Sequence, residues 1–154
     1  TPVTLPGGEI YTSMQSGAID ATEWVGPYND MAFGLYKVAK FYYHPGWHEP
    51  GSTMEAMINK DAFNELPKDL QKIVRAACRV ANQDMLADYT AKNNRALQTL
   101  ISKHKVEIRQ YPDDVIKKLH DLSNDVVASV SKHDEISLKI YQSFLEFKNN
   151  VIQW

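Results

Sequence analysis

A chain of 154 residues, 44% of them apolar and 23% charged, can bury one ordinary core and is not a disordered tail. A net charge of −2 argues against nucleic acid, which demands a basic face, and no apolar run approaches the roughly 18 residues needed to span a bilayer. With one cysteine, Cys78, an intrachain disulfide is excluded.

The first six residues, Thr1-Pro2-Val3-Thr4-Leu5-Pro6, carry no basic n-region, no apolar h-region and no small-residue cleavage site. They read as a strand running into a loop, as if continuing from an upstream element, so a fragment is expected. Residues 9–16 predict a short helix with Ile10 and Met14 on one face, closed by Gly17, which takes positive φ without strain. Residues 18–24 predict a strand in which Ile19 and Ala21 alternate with Asp20 and Thr22. Pro27-Tyr28-Asn29-Asp30 opens a helical stretch through Met31, Phe33 and Leu35. Residues 38–44 are aromatic and strand-like, ended by Pro45-Gly46, and 54–59 predict the next strand.

From there the chain turns helical. Residues 61–66 form a short turn or helix, and Pro67 stands near N1 of a long one, where its missing N–H is harmless. Leu70, Ile73, Val74, Ala77, Ala81, Met85, Tyr89, Leu97, Leu100 and Ile101 keep helical spacing to about residue 104. Cys78 falls inside that pattern and is expected as a buried structural thiol rather than a nucleophile. Residues 106–111 predict one more short strand. Pro112-Asp113-Asp114 then starts a helix whose acids suit the dipole, and a last helix over roughly 135–151 carries Ile136, Ile140, Tyr141, Phe144 and Phe147. The expected class is α/β with long C-terminal helices: about 1–111 as strands and helices of a lobe, about 112–154 as the helical wrap. The strands are few and short, as in a lobe whose sheet is completed by other sequence.

Chemistry concentrates in two places. Glu23 and Trp24 are neighbours, and Trp47-His48-Glu49 follows one structural unit later. Two carboxylates flanked by indoles, with no Lys or Arg beside either, call for a positive group between them. A hard, oxygen-seeking cation such as Na⁺ or Ca²⁺ is the simplest candidate. The alternative is two exposed loop glutamates. His44 and His48 have i, i+4 spacing, but Pro45-Gly46 between them forbids the regular helix that a zinc pair on one face requires. No HExxH, CxxC or GxSxG pattern supports an enzyme. Gly7-Gly8-Glu9 at a helix start suits either an anion held by backbone N–H groups or a tight turn.

The runs Pro6-Gly7-Gly8-Glu9-Ile10-Tyr11, Met14-Gln15-Ser16-Gly17-Ala18-Ile19-Asp20-Ala21 and Glu23-Trp24-Val25-Gly26-Pro27-Tyr28 resemble the DctP-type solute-binding proteins of TRAP transporters. The run Tyr42-Tyr43-His44-Pro45-Gly46-Trp47-His48-Glu49-Pro50-Gly51 is similar to the subgroup that binds 2-oxo acids such as pyruvate, and Ile58-Asn59-Lys60-Asp61-Ala62-Phe63 and Leu66-Pro67-Lys68-Asp69-Leu70-Gln71 fit the same pattern. The resemblance implies the C-terminal portion of a periplasmic, two-lobed binding protein that closes on its ligand and serves TRAP membrane permease subunits. It implies no enzymatic turnover. It also implies that a cation bridges protein and substrate, with Glu23 giving a carboxylate oxygen, Trp24 its backbone carbonyl and Glu49 a second carboxylate. These three would then be both metal and substrate contacts. The family's arginine for the ligand carboxylate and its glutamine for the metal lie upstream of the matching region. Arg75, Arg79, Arg95 and Arg109 do not match that arginine. Two glutamates and a substrate carboxylate sum to minus three, and an arginine returns one, so near-neutrality leans to Ca²⁺ over Na⁺ without deciding between them.

Two rival readings remain open from the sequence. The C-terminal helices, with Phe144, Phe147 and Trp154, could form a homodimer or interaction module without independent ligand binding. A carboxylate–metal hydrolase is the weakest reading, because no base and nucleophile can be paired.

Overall fold

The computed structural model describes residues 1–49, 51, 52 and 54–152. Elements follow in the order α1 (Gly7–Ser16), α2 (Pro27–Phe33), a 3₁₀ turn (Leu35–Lys37), β1 (Phe41–His44), α3 (Lys60–Glu65), α4 (Lys68–Ser102), β2 (Glu107–Gln110), α5 (Asp113–Val130) and α6 (Glu135–Val151). β1 and β2 pair in the one sheet found among the described residues. Glu107 N–H donates to the Lys40 carbonyl and Tyr111 N–H to the His44 carbonyl, a constant register that makes the pair parallel. The class is α/β and rich in helix, as expected. None of the described helices is long and apolar enough to cross a membrane.

The chain divides into two compact units, one of residues 1–43 and 51–109, the other of 44–50 and 110–154. In the first, α2 packs on α4, a helix of 35 residues and about 52 Å. Ile10, Leu35, Ala96, Leu100 and Val106 form its buried apolar core, joined by two buried polar residues, Asp30 and Gln71. The Gln71 amide donates to the carbonyls of Leu66 (2.8 Å) and Asn64 (3.4 Å), satisfying acceptors that the end of α3 leaves open. At the other end of α3, the Asn59 side chain caps the helix by accepting from the N–H groups of Asp61 and Ala62. In the second unit, α5 opens behind Pro112 with Asp113 and Asp114 in its first turn. α6 is capped by Asp134, whose carboxylate accepts from the Ser137 N–H at 2.7 Å.

Helix starts and stops lie within one or two residues of their expected positions. Gly17 at φ 74° closes α1 as predicted. The strands differ more. Strands are expected within residues 1–6, over 18–24 and over 54–59, yet none of them is a strand here. A strand exists only when a neighbour takes its backbone N–H and C=O groups, and among the described residues no other segment forms a ladder with these three. β1 starts at Phe41 rather than at residue 38, because Val38 N–H closes the 3₁₀ turn onto the Leu35 carbonyl.

Cys78 is a second correction: it is free and exposed, not buried. The helical spacing around it is real, but the stripe that includes Leu70, Ile73 and Met85 is itself exposed. Periodicity tells which face of a helix is apolar; it does not supply the element that covers it. Trp154, expected at the end of the apolar C-terminal stripe, lies outside the described residues.

Candidate functional site

Glu23 and Trp24 occupy the irregular stretch that leads into α2, both exposed. The stretch is ordered from three sides. First, the Trp24 indole stacks on Phe33 with ring centroids 5.2 Å apart and planes within 19°. Second, α1 passes so close that a Cβ on Gly7 would meet Trp24 Cη2 at 2.9 Å and Cζ3 at 3.3 Å. Gly7 is therefore a close-approach glycine for the indole, which accounts for its place at the start of α1 without an anion.

Third, Asp30 reaches back from the first turn of α2. Its Oδ1 accepts from the N–H groups of Val25 and Gly26, both at 3.1 Å, and its Oδ2 accepts from the Tyr42 hydroxyl at 2.5 Å. Asp30 is 7% exposed. The N-cap of α2, Gly26, has no side chain to offer, so an acid one turn inside the helix performs the capping instead. Burial, the hydrogen bond and charge of Asp30, and the charge of Glu23 all push the Tyr42 hydroxyl far above its ordinary range, so it stays protonated as a donor. Behind the turn, Asn93 of α4 accepts from the Tyr28 N–H at 2.9 Å, and Tyr89 meets the Tyr28 ring edge to face. The buried Oδ1 of Asn29 has no hydrogen-bond partner among the described residues.

Glu49 lies in the second unit, in the irregular stretch that follows the cis peptide between His44 and Pro45, and is exposed. Trp47 and His48 lie beside it with rings tilted at 5.3 Å. Residues 44–48 form no helix, so His44 and His48 do not share a helical face. Among the described residues no group of three or more His, Cys, Asp or Glu side chains gathers as a metal cluster. The donors that the sequence singles out are carboxylate and carbonyl oxygens, which suit Na⁺ or Ca²⁺ and not a zinc site.

The aromatic run before it has structural duties. Tyr42 serves Asp30, and Phe41 lies under the Arg109 guanidinium, 3.7 Å from ring centroid to Cζ. Tyr36 stacks on His104 at 3.8 Å. Arg109 also pairs with Glu107 at 3.0 Å, and Lys40 meets the same glutamate at 3.1 Å. Those two cations hold the Glu107 carboxyl below its ordinary range. Asp30 and Asn93 are the residues that reading the sequence missed. An acid in the first turn of a helix whose N-cap is glycine was the available signal for Asp30. For Asn93, 65 residues from Tyr28, there was none.

The turn at 23–30, set between α1, α2 and β1, belongs to a known fold. Residues 1–134 match the family of bacterial extracellular solute-binding proteins, family 7, the DctP family, and the chain belongs to it. It is 39% identical over 150 residues, 97% of its length, to the monocarboxylate 2-oxoacid-binding periplasmic protein of Nostoc sp.. Among solved structures, a TRAP transporter solute binding protein from Bordetella bronchiseptica superposes with a TM-score of 0.89 and 34% identity over 99% of this chain. That protein is a mixed-occupancy dimer, with copurified calcium and picolinate bound in one active site and the other apo. A TRAP periplasmic solute binding protein from Chromohalobacter salexigens, 20% identical over 99% of this chain with a TM-score of 0.71, shares the fold. The chain spans less than half the length of these relatives: 41% of the Nostoc protein and 45% and 47% of the two structures.

Proposed function

We propose that this chain is the C-terminal portion of the extracytoplasmic solute-binding component of a TRAP transporter, and that the protein binds small 2-oxo or 2-hydroxy monocarboxylates through a bridging cation. Residues 1–111 would contribute to a lobe and 112–154 the C-terminal helices. Glu23 would give a carboxylate oxygen, Trp24 its backbone carbonyl and Glu49 a second carboxylate. The α-oxo carboxylate would complete the shell with its own two oxygens. The ligand would leave chemically unchanged, handed to the membrane permease subunits from a periplasmic carrier.

The observation that carries this reading is the turn at 23–30. It holds an exposed carboxylate beside an ordered peptide carbonyl and a stacked indole, in a chain whose Nostoc relative is named for 2-oxo acids. The calcium and picolinate of the Bordetella protein support the cation. Picolinate, like a 2-oxo acid, offers a carboxylate and a second donor on the neighbouring carbon, which together close a five-membered chelate. The charge sum leans to Ca²⁺, and Na⁺ is the competing ion.

The test is a calorimetric titration of 2-oxo acids into the intact protein, with Ca²⁺, with Na⁺, and after chelation in sodium-free buffer. Binding that requires one cation is expected and identifies it. Binding that is indifferent to both removes the bridging role from Glu23 and Glu49. Turnover of a bound keto acid would favour an enzyme.

A second reading has its own support in the exposed apolar residues of α5 and α6, among them Val126, Val130, Ile136, Ile140, Phe144 and Phe147. These would join two copies as a homodimer or interaction module. Light scattering over a concentration series tests it, and a monomer at high concentration counts against it.

A further inference from the structure

The buried carboxylate behind the candidate ligands does more than cap a helix. Among the described residues the one cis peptide precedes Pro45, so the peptide joining Trp24 to Val25 is trans. In a planar trans peptide the N–H and C=O point in opposite directions. Val25 N–H is aimed at Asp30 Oδ1, so the Trp24 carbonyl oxygen is aimed away from it. Gly26 N–H binds the same oxygen, which pins the next peptide as well, and the Tyr42 hydroxyl holds Oδ2 so that the carboxylate cannot turn. Asp30 is buried, and among the described residues its carboxylate accepts from these three donors and pairs with no Lys or Arg. A carboxylate that accepts from an N–H draws that hydrogen's charge toward itself and leaves the carbonyl oxygen of the same peptide more negative. A cation held by that oxygen would gain from the polarised peptide and from the buried negative charge behind it.

We propose that Asp30 is the positioning residue of the cation site: it sets the plane of the peptide joining Trp24 to Val25 and polarises the Trp24 carbonyl as a ligand. This rests on the cation-bridged reading above. The competing explanation is that Asp30 only caps α2. Asparagine separates the two, because its carbonyl oxygen can still accept both N–H groups and its amide can donate to the Tyr42 oxygen. The charge is lost, and the Tyr42 hydroxyl turns from donor to acceptor, a change that Tyr42→Phe controls for.

The experiment compares the wild-type protein with Asp30→Asn, Tyr42→Phe and Glu23→Gln in the intact protein. Ca²⁺ is titrated with pyruvate held at a fixed concentration, and a parallel series uses Na⁺. The Trp24 carbonyl ¹³C resonance is recorded without metal in each variant. Asp30→Asn is expected to weaken the required cation about tenfold, the scale of one charge-assisted hydrogen bond, and to move the Trp24 resonance. Tyr42→Phe keeps the charge and both N–H contacts, and is expected to change cation affinity less than about threefold. If Asp30→Asn does not fold, Asp30→Glu is read instead, with weakened cation binding and a displaced Trp24 resonance expected from the longer side chain. An Asn variant, or the Glu variant in its place, with wild-type cation affinity and an unmoved Trp24 resonance overturns the role of Asp30 while Glu23→Gln still abolishes binding. Wild-type protein that needs neither cation overturns the site reading and this proposal together.

Discussion

Two irregular stretches are built differently: residues 23–26, which carry Glu23 and lead into α2, and residues 54–59, which lead into α3. Residues 23–30 contain almost no regular structure before α2, yet Asp30, Asn93, Phe33 and the close pass of Gly7 hold them. Residues 54–59 form no hydrogen-bonded ladder, and Met57 is 91% exposed. Irregular backbone is thus of two kinds. One kind is specified by buried side chains that satisfy its N–H groups. The other was expected as a strand and finds no ladder partner among the described residues. A ligand oxygen on the first kind is pre-positioned, which lowers the ordering cost of binding.

The largest effect expected tests whether a carboxylate outside the ordered turn matters as much as the one in it. Glu23→Gln and Glu49→Gln should each weaken cation-dependent binding of 2-oxo acids by about 100-fold or more, since each leaves a charge-paired site short of one charge. Calorimetry on the two variants reads this directly. Loss in Glu23→Gln alone would confine the site to the ordered turn. Retained affinity in both would remove the assignment.

Next, Gly26→Ala attacks the ordered turn through its backbone. Gly26 sits at φ 156° and ψ 173°, and a Cβ there would stand 3.4 Å from Asn93 Oδ1. The substitution should cost roughly 1–3 kcal/mol in denaturant unfolding and weaken cation binding as the Val25 and Gly26 N–H groups leave Asp30. Unchanged stability would mean that the turn is less constrained than its hydrogen bonds imply.

A smaller effect is expected where the second stretch meets α3. Asn59→Ala removes a side chain that caps two N–H groups and should cost about 1 kcal/mol without changing cation affinity. A large change in binding there would show that residues 54–59 are coupled to the site after all.

The smallest lies outside both stretches and sets a baseline. The Ser137 N–H holds the Asp134 carboxyl below its ordinary range. Because the folded value is depressed, this contribution is complete above the unfolded carboxyl value, about 3.9, and is lost as pH falls through the folded one. Hydrogen exchange at the Ser137 amide should lose protection only below about pH 4. Loss at neutral pH would assign that protection to something other than the cap.

The α-helices and their ends were legible in the sequence because their signals are local. Pro67, Pro112 and Gly17 mark boundaries through φ or missing N–H groups, all within one turn of the residue concerned. The pairing of Glu23 with Trp24 was legible for the same reason, as was the family that the runs around them resemble. Whether residues 1–5, 18–24 and 54–59 are strands was not, since a ladder needs a partner that periodicity cannot name. Nor could spacing on α4 tell that Cys78 would be exposed, because burial depends on what lies opposite. Only the tertiary structure brought Asn93 to Tyr28 and Tyr42 to Asp30. Local sequence determined where this chain turns and caps, through short-range sterics and hydrogen bonding; contacts between distant segments decided which oxygens are held in place, because a buried polar group must find its partner wherever the fold puts one.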